Sequence, residues 1–165
     1  MEKLKLGVSA CLLGEKVRYD GGHKRDMFIT ETLGRQFELL RICPEVECGL
    51  PVPREAMQLV GDARSARLIT IETRVDHTEQ LLRWLEEGLR KIEEQHICGF
   101  IFKARSPSCA VCDAELIAAT GTLTGRVPGF FARAVMRRFP LLPLIDEENL
   151  VVPAFRDGFL ERIRE

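Results

Sequence analysis

The sequence predicts an α/β fold in which a mostly parallel sheet carries helices on both faces, within a single domain spanning residues 1–165. Short apolar runs of strand length alternate with longer segments in which apolar residues recur at helical spacing. The most apolar short run is nearly continuous, which is typical of a strand that is covered on both faces. A chain of 165 residues also suits one domain, since folding at this size buries roughly 70% of the surface of the unfolded chain.

Five segments are predicted as strands from their length and their apolar, often β-branched composition. The second of them ends before Pro44, which cannot donate a ladder hydrogen bond. The loop that follows, residues 44–54, contains three prolines with fixed backbone angles and is predicted to be rigid in places. The predicted strands are residues 4–9, 37–42, 67–72, 97–102 and 141–145.

Four helices are predicted among these strands. The clearest follows Asp76, which has Glu79 three residues later at the spacing of a capping box, and its apolar residues recur at helical spacing as far as Ile92. A turn rich in glycine and proline is predicted at residues 125–129, and Gly34 and Pro140 are stop signals. The other predicted helices are residues 26–33, 130–139 and 155–163.

The composition is that of a globular protein without the bulk charge that nucleic acid or a membrane surface attracts. Lys and Arg number 24 and Asp and Glu 25, which leaves a net charge of −1. No apolar stretch reaches the roughly 20 residues that a membrane helix needs, and the start of the chain shows no signal-peptide core. We therefore expect a cytoplasmic protein with no nucleic acid and no membrane as partner, while the oligomeric state stays open. Six cysteines in such a protein favour metal or redox chemistry over a disulfide framework.

Three cysteines that are far apart in the sequence lie at or shortly after the ends of predicted strands: Cys11, Cys43 and Cys109. The carboxyl ends of parallel strands meet at one edge of a sheet, where ligands bind, so we expect the three thiols to share one site. Thiolates are soft ligands, and soft ligands favour an iron–sulfur cluster, zinc or copper(I) over magnesium or calcium.

Other polar groups accompany these thiols. Glu45 follows Cys43 closely and could transfer protons beside a metal site. Ser106 and Ser108 precede Cys109 in a tight loop. The cationic residues Lys103 and Arg105 lie just before this loop, and positive charge there is expected to lower the pKa of the Cys109 thiol.

Further cysteines and a basic loop leave alternatives open. Cys109 and Cys112 form a C-x-x-C pair, which suits a redox dithiol or half of a zinc site. Cys98 lies inside an apolar strand and is expected in the core. The basic, glycine-containing residues 18–25 could bind phosphate, which is a less favoured hypothesis because they match neither the Walker nor the Rossmann pattern.

Three segments, in this order, closely resemble the small bacterial family that includes the 2-thiouracil desulfurases: VSACLLGEKVRYDGGHKR, ICPEVECGLPVPRE and FIFKARSPSC. The resemblance covers about residues 4–109 and more loosely the remainder. Proteins of this family are understood to hold a [4Fe–4S] cluster through three cysteines, which leaves one iron open to the sulfur of a substrate. The resemblance implies the ligands Cys11, Cys43 and Cys109, with a catalytic carboxylate at Glu45 and a catalytic serine at Ser106.

The implied activity is that of a [4Fe–4S]-dependent desulfidase, which releases sulfide without redox change from a small thiolated compound such as a thiolated nucleobase. Water would attack the thiocarbonyl carbon, Glu45 would transfer protons and Ser106 would orient the substrate, in a reaction of hydrolase or lyase type. Two alternatives remain at this point. Cys48 or Cys112 could close the cluster as a fourth ligand and leave a binding module without catalysis, or Cys109 and Cys112 could act as a redox dithiol.

Overall fold

The structure of the chain, a computed structural model, describes residues 2–165. Each of the five predicted strands is present, with ends shifted by up to three residues, and three further strands occur. In chain order the strands are β1 (Lys5–Ser9), β2 (Glu38–Ile42), β3 (Met57–Val60), β4 (Arg67–Thr70), β5 (Gly99–Phe102), β6 (Ala114–Ile117), β7 (Leu123–Val127) and β8 (Leu144–Asp146).

Six α-helices accompany the strands. The helix predicted at residues 26–33 is π-helical over Phe28–Leu33 and continues into a short α-helix, and the proline-containing loop after β2 begins with a helical turn. The α-helices are α1 (Gly34–Gln36), α2 (Pro44–Glu47), α3 (Thr78–Gln95), α4 (Phe130–Arg138), α5 (Glu147–Leu150) and α6 (Pro153–Ile163). No helix within residues 2–165 combines the length and apolar character needed to cross a membrane.

The first sheet is entirely parallel and has the strand order β2-β1-β5-β8. Its four carboxyl ends therefore share one edge, as the α/β prediction requires. Helices cover both faces, because α6 and the π-helical segment pack on one face and α3 and α4 on the other. The predicted fold class is confirmed.

The fully buried strand β5 shows how the two faces are filled. Ile101 points into the core beneath α6, whereas Phe100 and Phe102 point to the other face and stack with ring centroids 4.2 Å apart. Phe100 also lies against Gly7 of the neighbouring strand, where an added Cβ atom would come within 2.3 Å of the ring. Glycine at position 7 is thus required by the packing of an aromatic ring across the strand.

A second sheet, with the order β4-β3-β6-β7, was not predicted. Only its central pair, β3 and β6, is parallel, and both edge strands are antiparallel. The segment predicted as the third strand is the edge strand β4 of this sheet. The turn predicted at residues 125–129 is wrong in part, since the chain stays extended in β7 up to Val127.

Helix α3 lies between the two sheets. Its residues Leu85 and Ile92 pack with Phe100 of the first sheet, and Leu81 packs with Leu59 of the second. Each face of the helix is therefore buried against a different sheet.

Candidate active site

The carboxyl edge of the parallel sheet borders a cavity of about 410 Å³. The five residues that the sequence analysis assigned to the site all line this cavity: Cys11, Cys43, Glu45, Ser106 and Cys109. They reach it from three different strand ends, since β1 leads to Cys11, β2 to Cys43, and β5 to the loop that carries Ser106 and Cys109.

Cys11 lies in a 3₁₀ turn, Ala10–Leu13, that directly continues β1. Its carbonyl oxygen accepts hydrogen bonds from the backbone N–H groups of Gly14, at 3.3 Å, and Lys24, at 2.9 Å. Gly14 has a φ of 90°, a left-handed conformation that glycine adopts without steric cost. These contacts tie Cys11, on the wall of the cavity, to the basic loop.

Cys43 is the N-cap residue of α2 and has Pro44 at the first helical position. Its backbone N–H donates to Oε2 of Glu47 at 2.8 Å, while its carbonyl oxygen accepts from the N–H of Glu47 at 2.9 Å. The reciprocal bonds fix the backbone at Cys43. The same helical turn places Glu45 two residues later on the wall of the cavity.

The loop that carries Cys109 is held by a serine and by the start of α4. Oγ of Ser106 accepts hydrogen bonds from the backbone N–H groups of Ser108, at 3.2 Å, and Cys109, at 3.0 Å. The first N–H groups of α4 donate to loop carbonyls, including that of Phe131 to Ser108 at 2.8 Å. An added Cβ atom at Gly129 would lie 2.6 Å from the carbonyl carbon of Ser108, so this close approach requires glycine.

The three thiols influence one another electrostatically. Burial, followed by the charge of Cys43, raises the pKa of Cys11 to about 11, although Lys103 and Arg18 act in the opposite direction. Burial also raises the pKa of Cys43, and it raises that of Cys109 well above its ordinary value, with Cys43 and Cys11 adding to the effect on Cys109. The free thiols are therefore protonated at neutral pH, and binding of a soft metal would release their protons.

The prediction that the cationic stretch lowers the pKa of Cys109 is wrong. Burial dominates at this thiol, and both cations are paired with carboxylates. Nζ of Lys103 lies 2.7 Å from Oε2 of Glu147, and Nη2 of Arg105 lies 2.8 Å from Oε1 of Glu148. The charge of Lys103 acts on Cys11 instead.

Both carboxylate oxygens of Glu45 accept a hydrogen bond from a buried side chain. Oε1 accepts from Nε of Arg54 at 2.9 Å, and Oε2 accepts from Oγ of Ser108 at 2.7 Å. The side chains of Arg54 and Glu45 are only 8% and 12% exposed, and Ser108 is fully buried. The carboxylate is thus oriented from two sides, and each of its oxygens keeps a further lone pair for a ligand in the cavity.

The remaining cysteines lie elsewhere. Cys48 does not line the cavity, and its thiol donates to the carbonyl oxygen of Glu45 at 3.2 Å. Cys112 is exposed, also lies outside the cavity, and has a pKa that is raised by burial and by Asp113. Cys98 is half-buried against the core and donates to the carbonyl oxygen of Lys5 at 3.2 Å, in keeping with a structural role.

Three thiols around one cavity are a donor set of the kind that soft metals and iron–sulfur clusters take. Within residues 2–165 no group of three or more His, Cys, Asp or Glu side chains converges closely enough to hold one metal ion. A four-iron cluster takes at most one cysteine thiolate on each iron, so its ligands are spread around it. Three soft donors from separate loops around one cavity match that requirement.

Several residues of the site were not predicted. Arg54 is one of them, because its partner Glu45 lies nine positions away across an irregular loop. No sequence pattern predicts a contact at that spacing. Ser9 accepts the N–H of Lys103 at 3.0 Å, and its hydroxyl hydrogen-bonds Cys109, which lowers the pKa of that thiol against the larger effect of burial. Of the basic residues 18–25, Arg18, Tyr19 and Lys24 line the cavity.

Comparison with known proteins identifies similar chains. The sequence profile described as 2-thiouracil desulfurase matches residues 6–147. The uncharacterized protein YbbK of Bacillus subtilis (strain 168) is 29% identical over 108 residues, which are 62% of this chain and 70% of YbbK. The solved structure of a [4Fe–4S]-dependent thiouracil desulfidase, TudS, is similar with a TM-score of 0.75 and 28% identity, over 98% of this chain and 99% of that one.

Proposed function

Because the chain belongs to the 2-thiouracil desulfurase family, we propose that it uses a [4Fe–4S] cluster to remove sulfur from a small thiolated compound. The proposed ligands are Cys11, Cys43 and Cys109. The observation that carries the proposal is their meeting with Glu45 and Ser106 around one cavity. The cavity of about 410 Å³ is in the range of small-molecule sites, and under this proposal the cluster and the substrate share it.

The proposed reaction is hydrolytic. A thiocarbonyl compound and water give the corresponding carbonyl compound and hydrogen sulfide, so no atom changes its oxidation state. When bound, the cluster would supply a Lewis-acidic iron without a protein ligand, which attracts the sulfur of the substrate. The remaining steps are proton transfers and orientation, which the side chains of this chain perform.

Glu45 is the proposed proton acceptor. With one lone pair on each oxygen already engaged by Arg54 and Ser108, the carboxylate presents its other lone pairs to the water that attacks carbon. The proton taken from water is then available for the departing sulfur.

Ser106 is the proposed donor to the substrate. Its Oγ already accepts two backbone N–H groups, which leaves its hydroxyl proton as the group it can offer. A hydrogen bond from this hydroxyl would hold the substrate beside Glu45.

The positions of the other thiols favour catalysis over a closed cluster. Cys48 and Cys112 lie outside the cavity, which supports a cluster without a fourth cysteine ligand. The same arrangement counts against a redox dithiol, because Cys109 is buried beside Cys11 and Cys43 while Cys112 is exposed.

Anaerobic reconstitution followed by iron and sulfide analysis tests the cofactor. We expect about four irons per chain, and sulfide release from thiouracil or a related thiolated base. A protein that takes up only zinc, or that binds the cluster and releases no sulfide from any thiolated compound, would contradict the proposal.

Two cysteine variants test the ligand set. Cys11→Ser is expected to lose the cluster, because it removes one of the three thiols that line the cavity. Cys112→Ser is the matched control and is expected to keep both cluster and activity, since this thiol is exposed outside the cavity. Loss of the cluster in Cys112→Ser would favour the closed binding module instead.

Glu45→Gln tests the proton transfer. The amide keeps nearly the shape of the carboxylate but cannot accept a proton from water, so we expect an intact cluster and a loss of kcat of about 10²- to 10⁴-fold. Full sulfide release by this variant would show that Glu45 is not the proton acceptor.

A further inference from the structure

A second cavity, of about 480 Å³, lies where the second sheet meets α3 and α4. It shares no lining residue with the candidate active site, and the proposed desulfuration makes no use of it. Its volume is in the range of small-molecule sites, and such sites often form where separate elements meet. The chemistry of its lining indicates what it could hold.

Most of the residues that line the second cavity are apolar. Leu59 and Leu85 are buried, and Phe130 is half-buried. Leu82 also lines the cavity and is 40% exposed. The small side chain of Ala134 leaves open space that a larger residue at this position would fill. An apolar ligand in the cavity would therefore remove apolar surface from water.

All of the polar side chains that line the second cavity are arginines: Arg64, Arg133 and Arg137. In the described part of the chain no carboxylate lines this cavity, and none lies at salt-bridge distance from these three. The net charge of the chain is −1, so three unpaired cations at one cavity are a local excess of positive charge. Such a local excess attracts anions.

Two acidic residues are close in sequence to this lining, but neither of them lines the cavity. Oδ1 of Asp62 accepts the backbone N–H groups of Arg64, at 2.9 Å, and Ser65, at 3.0 Å. Glu86 is exposed on α3 and forms no ion pair within residues 2–165. The guanidinium groups are thus left without a carboxylate partner from the protein.

Helix α4 presents its part of the lining on one face, since Phe130, Arg133 and Arg137 recur at helical spacing. Nη1 of Arg133 donates to the carbonyl oxygen of Ala63 at 2.7 Å, which holds this guanidinium group against the loop between β3 and β4. Arg133 and Arg137 are four positions apart, and like charges at that spacing destabilise a helix. An anion beside both arginines would offset this repulsion.

We propose that the second cavity binds a small organic acid, in which an apolar ring system carries one carboxylate, sulfonate or phosphate group. The ring system would cover Leu82 and Phe130, and the anionic group would lie beside Arg133 and Arg137. Apolar lining and unpaired cations together require a ligand with both parts. The inference goes beyond the proposed desulfuration and does not depend on it.

The test uses two probes with the same apolar body, titrated by fluorescence into the reconstituted full chain. Anilinonaphthalene sulfonate carries an anionic group, and phenylnaphthylamine is the neutral compound without it. Arg137→Met removes an exposed cation that forms no ion pair in the described part of the chain, so the fold should be retained. We expect the variant to bind the sulfonate about tenfold more weakly and the neutral amine less than twofold more weakly. Equal binding of the sulfonate by wild type and Arg137→Met would overturn the inference.

Two further variants separate this cavity from general effects of charge. Arg126→Met removes an exposed arginine of β7 that does not line the cavity, so it should bind both probes as the wild type does. Ala134→Leu fills part of the cavity without changing its charge and should weaken the binding of both probes. A loss in Arg126→Met equal to that in Arg137→Met, or unchanged binding in Ala134→Leu, would refute the inference.

Nuclear magnetic resonance locates the bound sulfonate without relying on its fluorescence. We expect the backbone amide signals of residues 127–137 to shift, and those of residues 43–45 in the active-site cavity to stay in place. Shifts confined to the active-site cavity would contradict the inference. If the wild type releases no sulfide yet binds the sulfonate at residues 127–137, the proposed function fails and this inference stands.

Discussion

Replacing Arg54 by methionine leaves the Glu45 carboxylate buried without its cation. The two side chains are 8% and 12% exposed and lie 2.9 Å apart, so solvent screens their charges only slightly. Removing one partner of such a pair costs about 3–5 kcal/mol. Glu45 keeps the bond from Ser108, while the carbonyl of Val17 loses the bond from Nη2 of Arg54. We therefore expect the free energy of unfolding to fall by about 3 kcal/mol, the lower end of that range.

Urea unfolding of the cluster-free protein at neutral pH measures this loss. The control is Arg67→Met, which removes an arginine that is paired with two carboxylates but is 45% exposed, so we expect a loss of at most about 1 kcal/mol. Adding Glu45→Gln to Arg54→Met should restore part of the stability, because no uncompensated buried charge then remains. A loss in Arg54→Met no larger than in Arg67→Met would refute the reasoning that this pair is buried and orients Glu45.

Two further predictions concern the frame of the site. Gly129→Ala would bring a Cβ atom within 2.6 Å of Ser108, so we expect a loss of about 1–3 kcal/mol in urea unfolding and a lower iron content after reconstitution. Gly158→Ala, in a helix position with no neighbour within 4 Å, should instead be neutral or stabilising, and the same behaviour in Gly129→Ala would contradict the close approach. Burial raises the pKa of Asp146, so the folded state binds the carboxyl proton of this residue more tightly than the unfolded state does. The protonated carboxyl group therefore stabilises the fold at low pH, and this stabilisation is lost as the pH rises above about 4 and through the folded-state pKa. The amide oxygen in Asp146→Asn can still accept the N–H of Asn149, so this variant should lack the decline in the free energy of unfolding between pH 4 and 7. Urea unfolding across this pH range measures the decline, and an unchanged pH dependence would show that Asp146 does not cause it.

The meeting of the three cysteines was predictable because it depends on one property of parallel sheets. Strand ends that point the same way share an edge, whatever the length of chain between them. Cys11 and Cys43 lie within two residues of apolar strands that are easy to recognise, so their convergence required no knowledge of the loops. Cys109 lies in a loop beyond β5, so its exact place depends on that loop. Their roles as ligands stay a prediction until the cluster is measured.

The second sheet and the supporting contacts were not predictable in the same way. Strand β7 is short, mostly exposed and contains glycine and threonine, so its sequence is that of a turn until β6 provides a pairing partner. The bond from Arg54 to Glu45 depends on the path of a loop. The need for glycine at position 129 arises only when α4 docks on the loop before Cys109. Each of these is decided by tertiary contacts, which no local pattern records.

Helix α3 packs on the first sheet with one face and on the second sheet with another. The unfolding of the two sheets is therefore coupled through this helix. If the second sheet separated, Leu81 and Trp84 would lose their packing on it and become more exposed, although Trp84 also packs on Phe131, with ring centroids 5.5 Å apart, in the layer above the first sheet. Neither sheet can therefore open alone without exposing the core of the other. Backbone amides in β3 and β5 should exchange with solvent through the same global opening, which would make the chain a single cooperative unit in hydrogen exchange.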